Sequence, residues 1–144
     1  MKVEVRNGRL DPWAELAGYE RSRGPAAGSF GASCVFVGTM RDFNAGDAVR
    51  AMHLEHYPGM TERHLEAICR EAAGRWALAD ALLVHRVGDL RPGDPIVLMA
   101  VWAAHRAEAF EACRYLIEEL KTRAPFWKKE RLAAGERWVE KSSG

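Results

Sequence analysis

Three cysteines, Cys34, Cys69 and Cys113, stand far apart in the 144-residue chain, with no CxxC pair among them. Zinc sites and disulfide frameworks need close-spaced or evenly counted cysteines, so neither a metal site nor a stapled secreted scaffold is expected. All three are read as small buried hydrophobes in a reducing compartment. Excess charge of one sign is missing too: 21 basic residues against 20 acidic ones leave a net charge of +1. A near-neutral molecule has no global field to draw in nucleic acid or a membrane surface, so neither is expected as a partner. Any anion site has to come from locally clustered cations. No apolar run approaches the roughly 20 residues of a membrane span, and Met1 to Arg6 lacks the apolar core of a signal peptide. A cytoplasmic protein is expected. Internal repeats and low-complexity segments are absent.

What remains is a globular balance, 48% hydrophobic and 28% charged, of a length suited to one domain spanning 1–144. Lys2 to Arg6 alternates as a short strand. Asp11 and Pro12 are set to cap and start a helix with Trp13, Leu16 and Ala17 on its apolar face. Ser33 to Val37 is expected to be a buried strand ending at Gly38, followed by a polar loop over Met40 to Ala48. Val49 to Tyr57 alternates, Met52 and Leu54 against His53 and Glu55, as a half-buried strand. A helix from Met60 carries Leu65, Ile68, Ala72 and Trp76 at helical spacing. Ala81 to Val87 and the apolar run Ile96 to Ala103 are strands separated by the turn Arg91 to Asp94, the second buried on both faces. A helix from Arg106 to Lys121, with Phe110, Cys113, Ile117 and Leu120 as its stripe, stops before Pro125. Phe126 to Arg131 and Glu136 to Glu140 form a small hairpin around Ala134-Gly135, and Lys141 to Gly144 fray. This order predicts an α+β fold: a mixed or antiparallel sheet, about three helices and a C-terminal β-hairpin.

Four stretches carry chemistry. Leu120 to Glu130 places Lys121, Arg123, Lys128 and Lys129 at a helix end and across a turn stiffened by Pro125. Such cations also serve a helix dipole or snorkel over aromatic residues. Ala103-Ala104-His105-Arg106 puts a histidine and an arginine beside the free N–H groups of a helix start, the makings of an anion site. Gly38-Thr39-Met40-Arg41 follows a strand directly, and Arg41 has the fork geometry to grip a phosphate. Glu55 to Met60 around His56 is read as a structural strand-to-helix corner. His53, His64 and His85 show no ligand-like spacing and are assigned no role. Phe126 and Trp127 are expected to pack beneath the hairpin.

Taken together, these segments resemble the large subunit of molybdopterin synthase. The resemblance runs in order through Gly38-Thr39-Met40-Arg41, Leu54 to Met60, His85-Arg86-Val87-Gly88 with Pro92-Gly93-Asp94, Ala104-His105-Arg106, Leu120 to Glu130 and Arg137-Trp138-Val139-Glu140. It covers about residues 30 to 140. It implies an α/β-hammerhead-like fold and a sulfurtransferase that converts cyclic pyranopterin monophosphate to molybdopterin, without a cofactor. The two sulfurs would come from the thiocarboxylated Gly-Gly terminus of a small ubiquitin-like partner, two of which flank a dimer of large subunits as a heterotetramer. By resemblance Lys121 and Lys128 are catalytic. Arg41, His105 and Arg106 contact the substrate, and Thr39, Met40, Lys129 and Glu130 lie in the matching binding stretches. Thr39 stands where some relatives carry lysine. The rival reading is a non-catalytic dimeric module that binds an anion or nucleotide.

One consequence is geometric. Arg106 and Lys121 are fifteen residues apart on one helix, roughly 22 Å. If both touch one substrate, they must come from two copies of the chain, so a pocket shared across a two-fold interface is expected.

Overall fold

The computed structural model describes residues 1–132 and 135–139. Their elements are β1 (Lys2–Asn7), α1 (Pro12–Ser22), β2 (Ala32–Thr39), β3 (Phe43–Asn44), β4 (Asp47–His56) and α2 (Met60–Trp76), then β5 (Asp80–Leu90), β6 (Pro95–Ala103), α3 (Arg106–Arg123), β7 (Phe126–Leu132) and β8 (Gly135–Val139). The strands run β2-β6-β5-β4-β7-β8, with β1 parallel to β5 and the short β3 antiparallel to β4. This is the expected α+β architecture, a mixed sheet with three helices.

β6 explains the centre. Its alternate residues face two different layers, as the period of two in a strand requires. Val97, Met99 and Val101 face α2 and α3, while Leu98, Ala100 and Trp102 face the side on which α1 lies. Burial of each valine, leucine or methionine among them contributes about 1.5–3 kcal/mol. The run expected to be buried on both faces is so buried.

β5 joins two halves of the sheet. Asp80 to His85 pair with β6 and Leu82 to Val87 with β1, after which Gly88 to Leu90 pair with β4. Gly88 makes the change of partner possible. Its φ is +93°, and a Cβ there would come within 2.6 Å of the Asn7 Oδ1 atom. Beyond it a third apolar cluster forms from Met40, Val49, Met52, Leu54, Val87 and Leu90.

Four details differ from the sequence reading. On α1, Asp11 caps as expected, accepting from the Ala14 N–H at 3.2 Å, but Trp13 and Ala17 face outward. Pro12, Leu16 and Tyr19 face the sheet instead, because Tyr19 packs on Trp102 and donates its hydroxyl proton to Asp80 at 2.7 Å. On α3, Phe110 is 66% exposed and the buried stripe is Ala109, Cys113, Leu116 and Leu120, with Ala112 beside it. The two stripes share Cys113 and Leu120. The small Ala109 and Ala112 let the helix approach the sheet closely, which selects the second. β2 is half-buried rather than buried, since it lies at the sheet's end and, among the described residues, pairs only with β6. Cys34 on it is accordingly half-buried, while Cys69 and Cys113 are buried.

The fourth detail concerns Met40 to Ala48, expected to be a loop. It contains a tight hairpin in which Asn44 pairs with Asp47, and Ala45 (φ 53°) and Gly46 (φ 82°) make the two-residue turn. Both φ values are positive, the geometry that matches strand twist. β7 and β8 pair as expected, with Leu132 opposite Gly135. The remaining turn residues, Glu140 and the tail from Lys141 to Gly144 lie outside the described residues.

Candidate functional site

The end of α3, the end of β2 and the first half of β7 converge on one cavity. It has a volume of about 340 Å³ and is lined by Thr39, His85, Lys121, Phe126 and Lys128, with apolar walls from Phe36, Met52, Leu54, Ile96, Ile117 and Leu120. A smaller recess adjoins it, holding Arg41, Phe43, Asn44 and Glu130 and sharing Thr39, Met52, Ile96 and Lys128 as a common wall. Lys121 reaches the cavity because α3 continues to Arg123 before Ala124 turns extended ahead of Pro125. Lys128 reaches it as an inward-facing residue of β7, opposite Leu54.

Apolar walls set the electrostatics. Burial lowers the pKa of Lys121, and the nearby charges of Lys128 and Arg41 lower it further. Burial also lowers that of Lys128; Glu130 opposes the shift and Arg41 adds to it. Two desolvated ammonium groups that disfavour each other bind an incoming anion strongly and give up a proton more readily than a solvated lysine. Arg41 lies 5.0 Å above the Phe43 ring at the mouth of the recess.

Glu130 is 2% exposed and sits between the cations. It accepts from the Asn44 side-chain amide at 2.9 and 3.1 Å and from the Arg137 Nε at 2.9 Å, with the Lys128 ammonium 3.7 Å away. Such a buried carboxylate is tolerated because it is paired on several sides.

The structure thus gathers Thr39, Arg41, Lys121, Lys128 and Glu130. Met40 is beside them, but its side chain is buried in the apolar cluster and its backbone is tied to the β5–β6 turn, bonding to Asp94 and Gly93. Lys129 does not join the group. As the next residue of β7 it points to the opposite face, where its ammonium meets Glu136 at 2.6 Å and lies over Trp138. His105 and Arg106 are exposed at the far end of α3, outside both cavities.

His85, assigned no role from motif spacing, lines the cavity. Its ring is buried in the cavity wall, stacked on Phe126 at 4.0 Å, and its Nδ1 lies 2.8 Å from the Arg86 carbonyl. That contact requires a proton on Nδ1. Burial pushes the pKa down to about 4, so the imidazole is neutral near pH 7. Its trace in the sequence is the alternation itself: Leu83, His85 and Val87 are alternate residues of one strand, two of them apolar. The pairing of Asn44 with Glu130 and of Arg137 with Asp47 and Asn44 has no local sequence signal, because these partners are 86, 90 and 93 residues apart. Phe126 packs inside as expected, whereas Trp127 is 43% exposed beside Tyr57. His56 occupies the strand-to-helix corner, its Nε2 3.9 Å from Glu62.

Known proteins resemble the chain along most of its length. A molybdopterin synthase catalytic subunit from Ralstonia nicotianae is 50% identical over 138 residues, covering 96% of this chain and 76% of the relative. One from Pseudomonas aeruginosa is 49% identical over 141 residues, covering 97% and 91%. Among solved structures, molybdopterin synthase from Staphylococcus aureus superposes with a TM-score of 0.83 at 31% identity, covering 96% of this chain and 98% of that one. The molybdopterin biosynthesis MoaE protein of Burkholderia ambifaria superposes with a TM-score of 0.80 at 45% identity, covering 99% and 92%. Residues 12–123 match the family described as MoaE protein, and with half the sequence shared with its catalytic-subunit relatives, the chain belongs to that family.

Proposed function

We propose that the chain is the catalytic large subunit of a molybdopterin synthase, moving two sulfurs onto cyclic pyranopterin monophosphate from a thiocarboxylated carrier. One observation carries this reading: two desolvated lysines line an apolar-walled cavity and an arginine lines the recess that adjoins it, in a chain half identical to catalytic subunits of that enzyme. A thiocarboxylate is already a nucleophile, so the protein need not supply a cysteine. Its tasks are to hold the phosphate, position the tail and stabilise charge as the cyclic phosphate opens and oxygen leaves.

Each residue has a part. Arg41 and Lys128 grip the phosphate. Lys121, with its lowered proton affinity, is the acid and base beside the tail. The partner that membership of this family implies is a small ubiquitin-like carrier, whose Gly-Gly terminus has no side chains to exclude from an apolar-walled cavity. His105 and Arg106 come from a second copy, since α3 separates them from Lys121 by roughly 22 Å. The family's assembly, a dimer of large subunits with two carriers, accommodates such a shared pocket, and we place it in the cytoplasm.

The deciding experiment incubates the protein with thiocarboxylated carrier and pterin precursor and detects the dithiolene product by mass. Product formation that Lys121→Ala abolishes, with carrier binding intact, is expected. Binding of the pterin without turnover would instead identify a non-catalytic anion-binding module.

A further inference from the structure

We propose that Arg137 is a positioning residue for this site: from β8 it clamps the β3–β4 hairpin and Glu130 together, so that Arg41 and Lys128 face one ligand. The proposal rests on the sulfurtransferase reading only for its kinetic test. Its basis is a three-point contact made by one guanidinium. Arg137 donates from Nε to Glu130 at 2.9 Å, from Nη1 to Asp47 at 2.9 Å, and from Nη2 to the Asn44 carbonyl at 2.9 Å. One rigid guanidinium therefore ties β8 to β7 and to both sides of the Asn44–Asp47 turn. Asn44 bonds Glu130 in turn, which closes the network.

Two consequences follow. The hairpin begins directly after Arg41, so fixing Asn44 and Asp47 limits where the Arg41 backbone sits. Glu130 is also shared: Arg137 is 2.9 Å from it and Lys128 3.7 Å, so the lysine is the looser partner. With Arg137 gone, a nearly fully buried carboxylate would keep only the neutral Asn44 amide and Lys128 of the partners named above, drawing that ammonium away from an incoming phosphate. Arg137 does not line the cavity, so its effect passes through other residues.

The test compares Arg137→Ala, Arg137→Lys and Arg137→Ala with Glu130→Gln, each as the complex with thiocarboxylated carrier. Arg137→Ala is expected to raise KM for the pterin and lower kcat/KM on the order of tenfold or more, the scale of losing charge-assisted hydrogen bonds. Arg137→Lys keeps the charge without the fork and is expected to recover only part. Removing the Glu130 charge in the Arg137→Ala background is expected to bring KM back toward the wild-type value, which a merely structural role would not do. Hydrogen exchange reads the clamp without turnover: amides of residues 42 to 49 are expected to exchange faster in Arg137→Ala. Unchanged exchange and unchanged KM in that variant would overturn the proposal, as would a double variant worse than the single one. A wild-type complex that makes no product would sink the sulfurtransferase reading instead, leaving the exchange result to judge the clamp.

Discussion

β6 and β7 obey the same rule with different materials. Both alternate their side chains between two faces. In β6 each face meets an apolar layer, and Val97 to Ala103 is buried throughout. In β7 the alternation sorts charges: Lys128 and Glu130 point toward the cavity and recess, while Lys129 meets the ion pairs of the other face. A strand of the first kind is held by area removed from water. One of the second kind persists only where each inward charge finds partners, and here Asn44 and Arg137 provide them. The site therefore occupies the part of the sheet least able to hold itself by apolar packing, braced against the part that can.

This contrast can be tested by substitution. The largest effect is expected at the cavity cations: Lys121→Ala should lower turnover by roughly a thousandfold, about 4 kcal/mol of transition-state stabilisation, with little change in the unfolding midpoint. Steady-state kinetics beside a thermal melt would check it; a fully active variant removes Lys121 from the chemistry. Next comes β6 itself. Leu98→Ala, at a fully buried position, should cost about 2–5 kcal/mol in urea unfolding yet leave KM near its original value in the folded fraction.

His85 gives an effect of intermediate size, because it is a polar group in an apolar wall. The folded protein releases its proton at about 4, against an ordinary value of 6.5. Between those pH values the unfolded chain binds more protons, so stability is complete above 6.5, falls as pH drops through that window and levels off below 4. The total is about 3 kcal/mol. Unfolding free energies of wild type and His85→Gln between pH 7 and pH 4 measure it, and parallel pH profiles would show that His85 is not the source. The smallest effect belongs to Lys129→Ala. Facing away from the cavity in a partly exposed ion pair, it should change kcat/KM by less than about threefold. A loss like that at Lys128 would mean that the two faces of β7 are not separate.

Much of the architecture was legible because it depends on periodicity. The run Ile96 to Ala103, the alternation of Val49 to Tyr57 and the stripe of α2 led directly to their elements. Stripes on α1 and α3 were misjudged by one position at Trp13 and Phe110, since a helix rotates only 100° per residue and the neighbouring stripe also contains apolar groups. The packing partner chose between them. At the site, the structure brings together Lys121, Lys128 and Arg41, which the sequence singled out, whereas no sequence pattern pointed to His85 in the wall or to the pairing of Asn44 and Arg137 with Glu130. Cations near a proline-stiffened turn are visible as a local run; a pairing across 86 residues leaves no local trace.

The order of residues alone settled where strands and helices lie, which family the chain resembles, and that Arg106 and Lys121 occupy opposite ends of one helix. Those properties follow from neighbours along the chain. Only the folded molecule decided that Lys128 faces the cavity while Lys129 turns its back on it. It also decided that a histidine without a motif is part of the wall, and that one arginine holds a hairpin in place. Each of these depends on which side of a strand meets which layer, and packing between distant segments determines that.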